Sequence, residues 1–133
     1  MNCKYKVGDL IYDANVYDGM NNDLTDLKFY KKWLPKKKEA RILELCCGTG
    51  RLTLPIAKDG YKISGVDITS SMLDQANAKA LEAGLTIDFI KADIRILDLP
   101  EKYDLIFIPF NSIHHLYQND DLFQVFNVVK SHL

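Results

Sequence analysis

The spacing of apolar residues changes abruptly at one place in this chain. Over residues 41–53 a short run, Ile42, Leu43 and Leu45, gives way to Gly48-Thr49-Gly50. Then follow Leu52, Leu54, Ile56 and Ala57, spaced for one face of a helix. The pattern predicts a buried strand over 41–46, a tight turn, and a helix over 50–58 closed by Asp59-Gly60. A second strand is expected over 61–66, running through Gly65-Val66 into Asp67. Ser70 reads as the N-cap of a helix carrying Met72, Leu73, Ala76, Ala80, Leu81 and Ala83, ended by Gly84. A third strand follows over 86–91 and finishes at Ala92-Asp93, and a fourth, the most apolar, spans 103–110. Residues 119–133 set Leu122, Phe123, Phe126, Val129 and Leu133 along one side of a last helix.

Upstream of the first strand, residues 1–22 read as an irregular arm. Asp23 or Thr25 can cap a helix with Leu24, Leu27, Tyr30, Lys31 and Leu34 on one face, stopping before Pro35. The charged stretch 35–39 is the one plausible boundary, dividing an arm and cap helix (1–38) from the sheet (39–133). Its lysines read as a solvated surface run. Strands that alternate with helices imply right-handed crossovers and a parallel sheet covered on both faces, a doubly wound α/β domain.

Composition narrows the partners. The chain has 133 residues, 47% hydrophobic, enough for one packed domain. Seventeen basic against eighteen acidic residues remove the charge signature of a dedicated nucleic-acid or membrane-surface binder, so a small molecule is the expected partner. No apolar run approaches the roughly 20 residues that cross a bilayer, and the cytoplasm is the expected location. Three cysteines, two of them adjacent at Cys46 and Cys47, have neither a disulfide framework nor zinc spacing, so no metal is expected.

The acids carry the chemistry by position. Glu44 lies within the first predicted strand, Asp67 ends the second and Asp93 the third, so all three converge on one rim of the sheet. Asp67 follows Gly48 by nineteen residues, near the offset of about 20 at which an acid binds ribose hydroxyls in nucleotide folds. A dinucleotide turn, however, needs a third small residue where this chain has Thr53. Nor is there the Gly-Lys-Ser/Thr of a triphosphate loop. Each acid also has a plainer reading: Glu44 as a structural acid met by backbone donors, Asp67 as a cap, Asp93 as a turn starter. Cys46 and Cys47 read as packing residues.

Glu44-Leu-Cys-Cys-Gly-Thr-Gly50, Gly65-Val-Asp-Ile-Thr-Ser-Ser-Met72, Lys91-Ala-Asp-Ile94 and Asp104–Leu116 together resemble the motifs of class I S-adenosylmethionine-dependent methyltransferases of the small-molecule type. The likeness runs from about Tyr12 to the end, with Cys46 standing where a first glycine is usual. It implies a Rossmann-like fold with S-adenosyl-L-methionine as cofactor. By this resemblance the turn at Cys46, Gly48 and Gly50 holds the methionine portion, with Glu44 near its amino group. Asp67 takes the ribose hydroxyls, Ile68 and Met72 flank the adenine, Asp93 accepts from its amino group with Ile94 beside the ring, and Asn111 lies under the sulfonium. Tyr17, with Tyr12, either folds over the cofactor or packs on the sheet edge. His114 or His115 is the candidate general base for a protonated acceptor; His132 is expected on the surface.

The family's sheet has seven strands ordered 3-2-1-4-5-7-6, and this sequence supplies the first four, so the expected fold is truncated after the fourth strand and its following helix. Two expectations follow: the chain is the N-terminal portion of a longer protein, or two chains pair across the exposed fourth strand as a homodimer. The rivals are a nicotinamide-dependent oxidoreductase, against which Thr53 argues, and a non-catalytic cofactor-binding or pairing module.

Overall fold

The computed structural model describes residues 24–109 and 119–133. Four parallel strands, β1 (Arg41–Leu45), β2 (Lys62–Asp67), β3 (Asp88–Lys91) and β4 (Leu105–Phe107), form one sheet in the order 3-2-1-4. Among the described residues four helices accompany them: α1 (Leu27–Trp33), α2 (Thr53–Lys58), α3 (Ser70–Glu82) and α4 (Asn119–His132). The doubly wound α/β expectation and the strand order for this half are both met.

Alternation along β1 sorts the core into two layers, because successive side chains of a strand point to opposite faces. Ile42 joins Leu52, Ile56 and Ile63, and Leu27, Tyr30 and Leu34 of the α1 segment pack onto that layer. Leu43 and Leu45 join Val66, Ile94, Leu97 and Tyr103 beneath Val125 and Val128 of α4. Both faces of the central strand are therefore buried, as its near-continuous apolar sequence requires. β4 is bonded to β1 along one side, and no described strand pairs with its other side.

Boundaries differ from expectation where a local bond prevails over propensity. α2 begins at Thr53 rather than at residue 50, because Gly50 has φ 82° and cannot belong to a right-handed helix. α1 is preceded by Asp26, not by Asp23 or Thr25; the Asp26 side chain makes no cap bond and reaches Arg51 instead. Thr69 precedes α3, while Ser70 Oγ accepts from Lys91 Nζ at 2.7 Å. β3 and β4 are shorter than predicted. Tyr103 is withdrawn from β4 because its N–H donates to the His132 carbonyl at 2.8 Å.

That contact is part of a correction. His132 is only 3% exposed rather than on the surface. Its Nε2 accepts from the Leu99 N–H at 2.9 Å and its Nδ1 faces the Val128 carbonyl at 2.6 Å, which assigns the proton to Nδ1. The ring is thus a buried clasp between α4 and the segment after β3, spending both nitrogens on backbone.

Candidate functional site

β1 ends at Leu45, and the chain must then turn sharply to reach α2. Three residues of this turn have positive φ: Cys46 (60°), Gly48 (57°) and Gly50 (82°). Glycine adopts this region freely and other L-residues do so at a cost of roughly 1–2 kcal/mol. At Gly50 a Cβ would also stand 2.3 Å from Leu54 Cδ1, so the Leu54 side chain would have to move. Cys46 therefore occupies a glycine position for a reason beyond size. Small volume admits it, but the left-handed backbone is what the position requires. Cys46→Gly is expected to stay within about 1 kcal/mol of the parent, whereas Cys46→Val, with a branched Cβ at the same φ, is expected to cost about 2 kcal/mol in urea denaturation. Equal effects of the two would show that the backbone there is not constrained.

Asp67 ties this turn to β2. Its Oδ2 accepts from the Gly48 N–H at 2.8 Å and its Oδ1 from the Thr69 N–H at 2.9 Å. The Ala92 N–H donates to the Asp67 carbonyl at 3.1 Å, which sets the next tip, Asp93, alongside. The glycine turn, Asp67 and Asp93 thus lie together at the carboxyl ends of β1, β2 and β3, where ligands bind in such sheets. Each Asp67 oxygen retains a further lone pair for a hydroxyl donor.

Glu44 shares the Ile42 face of β1 and is 1% exposed. It accepts from Thr53 Oγ1 at 2.5 Å. Burial pushes its carboxyl up to about 8, against the opposing pull of the Thr53 bond and of the Arg51 charge. Burial likewise pushes the Cys47 thiol far above its ordinary value, so Cys47 is an inert packing residue. Asp93 is held by Arg95, whose hydrogen bonds keep that carboxyl below the usual range. Of the apolar candidates, Ile68 is exposed at the rim, Met72 is a buried residue of α3, and Ile94 is buried in the layer beneath α4.

Two parts of this rim have no local sequence signal. Arg51, in the turn, forms a two-pronged pair with Asp26 at 2.7 and 2.8 Å. It locks the start of α1 onto the glycine turn across twenty-five residues of chain. Arg95 links Asp93 to Asp121. Tyr17, Asn111, His114 and His115 lie outside the described residues, as does Phe110 of the predicted fourth strand. No group of three or more metal-ligating side chains occurs among the described residues, and no described helix is long and apolar enough to cross a membrane.

The donor set suits one kind of nucleoside ligand. In a phosphate-binding turn the backbone N–H groups and the helix N-terminus face an anion. Here the Gly48 N–H is spent on the Asp67 carboxylate, which places a negative charge beside the turn. A phosphate would meet repulsion, whereas a cationic, phosphate-free nucleoside would meet complementary charge. Fold and rim together define a nucleoside-cofactor domain of the doubly wound class. The chain belongs to the methyltransferase-domain family, which matches residues 42–133, and the class I methyltransferase resemblance is thereby confirmed.

Among relatives, YqeM of Bacillus subtilis (strain 168), provisionally named a methyltransferase, is 31% identical over 121 residues, 87% of this chain and 47% of that protein. The 23S rRNA (uracil(1939)-C(5))-methyltransferase RlmD of Shewanella halifaxensis is 41% identical over 64 residues, 47% of this chain and 14% of its own length. A crystal structure of a S-adenosylmethionine-dependent methyltransferase from Clostridium acetobutylicum superposes with a TM-score of 0.76 at 29% identity, covering 99% of this chain and 54% of the other. The chain spans about half the length of YqeM and of the Clostridium protein, and far less of RlmD.

Proposed function

We propose that this chain binds S-adenosyl-L-methionine across the carboxyl ends of β1–β3 and carries the cofactor half of a methyltransferase acting on a small-molecule acceptor. The observation that supports it most is the Gly48 N–H to Asp67 bond. It joins the turn and the ribose acid into one acidic cradle and removes the turn's phosphate-facing donor.

The cofactor supplies an activated methyl group, so the protein's work is to bind, orient and exclude water. Asp67 would take the ribose hydroxyls, Ile68 one face of the adenine, and Asp93 its amino group. The turn at Cys46, Gly48 and Gly50 would hold the methionine portion above buried Glu44. Asn111 is assigned to the sulfonium side and His114 or His115 to proton removal from the acceptor.

One observation favours a second acceptor class. Phe29 and Trp33 are 58% and 61% exposed on α1 with ring centroids 6.4 Å apart, on a stretch that also carries Lys28 and Lys32. Exposed aromatics among lysines suit single-stranded RNA, and RlmD is named for an rRNA substrate.

Calorimetry with S-adenosylhomocysteine, with NAD in a parallel titration, tests the cofactor reading. Saturable binding of the first and none of the second is expected. The reverse would establish the oxidoreductase alternative. Methyl transfer to RNA rather than to small amines or phenols would select the second acceptor class.

A further inference from the structure

Of the three strand acids Glu44, Asp67 and Asp93, Asp93 is the one whose carboxylate is gripped by a cation among the described residues. Its Oδ1 accepts from the Arg95 backbone N–H at 2.9 Å and from Arg95 Nε at 3.0 Å, and its Oδ2 accepts from Nε at 3.1 Å and Nη2 at 2.6 Å. The guanidinium then reaches on with Nη1 to Asp121 Oδ1 at 3.0 Å. Asp121 stands in the first turn of α4, where a carboxylate also meets the positive end of the helix dipole. Arg95 is half-exposed, while the two carboxylates are largely covered, with side chains 22% and 16% exposed.

A carboxylate has about four acceptor positions. Three N–H groups of Arg95 (backbone, Nε and Nη2) occupy Asp93 from one side. That leaves about one acceptor position, and the fork geometry fixes which way the carboxylate plane faces. An Asp that merely ended a turn would need only the backbone bond. The side-chain fork and its anchor on a different element go further, because they fix the carboxylate against rotation and bind it to α4.

We propose that Arg95 is a positioning residue for nucleobase selection, setting Asp93 to receive a single N–H donor and fastening that setting to α4 through Asp121. The inference rests on the S-adenosylmethionine reading above and adds the ligand's base edge as the feature read. A base presenting an amino group fits the remaining acceptor; a base presenting a carbonyl oxygen at the same place meets a lone pair. α4 follows the segment that holds Asn111, His114 and His115 in sequence, so the base subsite and the element after the acceptor-side residues are joined by one charged link.

The test is the ratio of affinities for S-adenosylhomocysteine and S-inosylhomocysteine, whose base carries a carbonyl in place of the amino group. It is measured by calorimetry on the chain and on Arg95→Ala, Arg95→Lys and Asp121→Asn. The unaltered chain is expected to prefer the amino form by about tenfold or more, the scale of one charge-assisted hydrogen bond. Arg95→Ala should bring the ratio toward one. Arg95→Lys, which keeps the charge but loses the fork, should recover only part of it, and Asp121→Asn should lower it less. A purely structural role would weaken both ligands alike and leave the ratio unchanged, which would overturn the proposal. An unaltered chain that binds both ligands equally would overturn it too. Failure of the unaltered chain to bind S-adenosylhomocysteine would instead refute the cofactor reading, before any variant is made. A loss of folding in Arg95→Ala is detected by circular dichroism, and the ratio in Arg95→Lys and Asp121→Asn then decides.

Discussion

Asp67→Ala is expected to lower the affinity for S-adenosylhomocysteine by about 10- to 100-fold and to destabilise the ligand-free protein at the same time. The two effects have separate sources. The affinity loss comes from removing the acceptor proposed for the ribose hydroxyls, about 1–3 kcal/mol for bonds to a charged partner. The stability loss comes from the Gly48 and Thr69 N–H groups, which donate to this carboxylate at 2.8 and 2.9 Å and would be left to find water. An orphaned partly buried donor costs about 1–3 kcal/mol. Asp67→Asn separates them: its amide oxygen can replace one of the two acceptors while the charge is gone. Affinities by calorimetry and unfolding free energies by urea titration should both rank the parent above Asn and Asn above Ala. An Asp67→Ala protein that binds as tightly as its parent would leave Asp67 a turn anchor and no more.

This double duty bears on what could be read before the structure. The switch of apolar spacing at Gly48-Thr49-Gly50, and an acid nineteen residues beyond Gly48, are local patterns, and local patterns survive in sequence. They placed β1, the turn and Asp67 correctly; the alternation of strands with helices pointed to the parallel sheet, and its order is the one that the family resemblance implies. Interactions between distant residues leave no such trace. Nothing in Asp26 or Arg51 alone announces a pair across twenty-five positions, nor does His132 announce that it clasps Leu99. Its place in the last turn of an amphipathic helix suggests solvent, and only the packing of α4 on the segment after β3 reverses that. Cys46 shows a different limit. Composition reveals that cysteine is small, but φ is a property of the turn, and the cost of a Cβ there appears only with the backbone. The plain reading of Asp93 as a turn starter and the ligand reading both prove compatible with its place. The Arg95 fork, two residues away in sequence, has no distinctive signal, because a single Asp-x-Arg is common on any surface.

Glu44 gives the pH-dependent prediction. Buried at the centre of the sheet with one hydroxyl donor, its carboxyl titrates at about 8 in the folded chain against about 4.5 when unfolded. Between those values the folded state binds the proton that the unfolded state has released, so stability falls as pH rises through the window and levels off above about 8. The slope approaches about 1.4 kcal/mol per pH unit at its steepest. Asp26 and Asp93, held below their ordinary value of 3.8 chiefly by the hydrogen bonds of Arg51 and Arg95, have the opposite sign. Their contributions are complete above 3.8 and are lost only as the medium becomes more acid, so they do not disturb the window. Glu44→Gln keeps the shape and an acceptor for Thr53 without a titrating proton. The unfolding free energy of the Gln variant relative to the parent should therefore increase from about pH 5 to about pH 8 and then remain constant. A difference that stays flat across that range would mean that Glu44 is ionised in the folded protein, balanced by Arg51 despite its burial. The turn would then offer a full negative charge, rather than a proton to be displaced, to the ammonium that the proposed cofactor site places there.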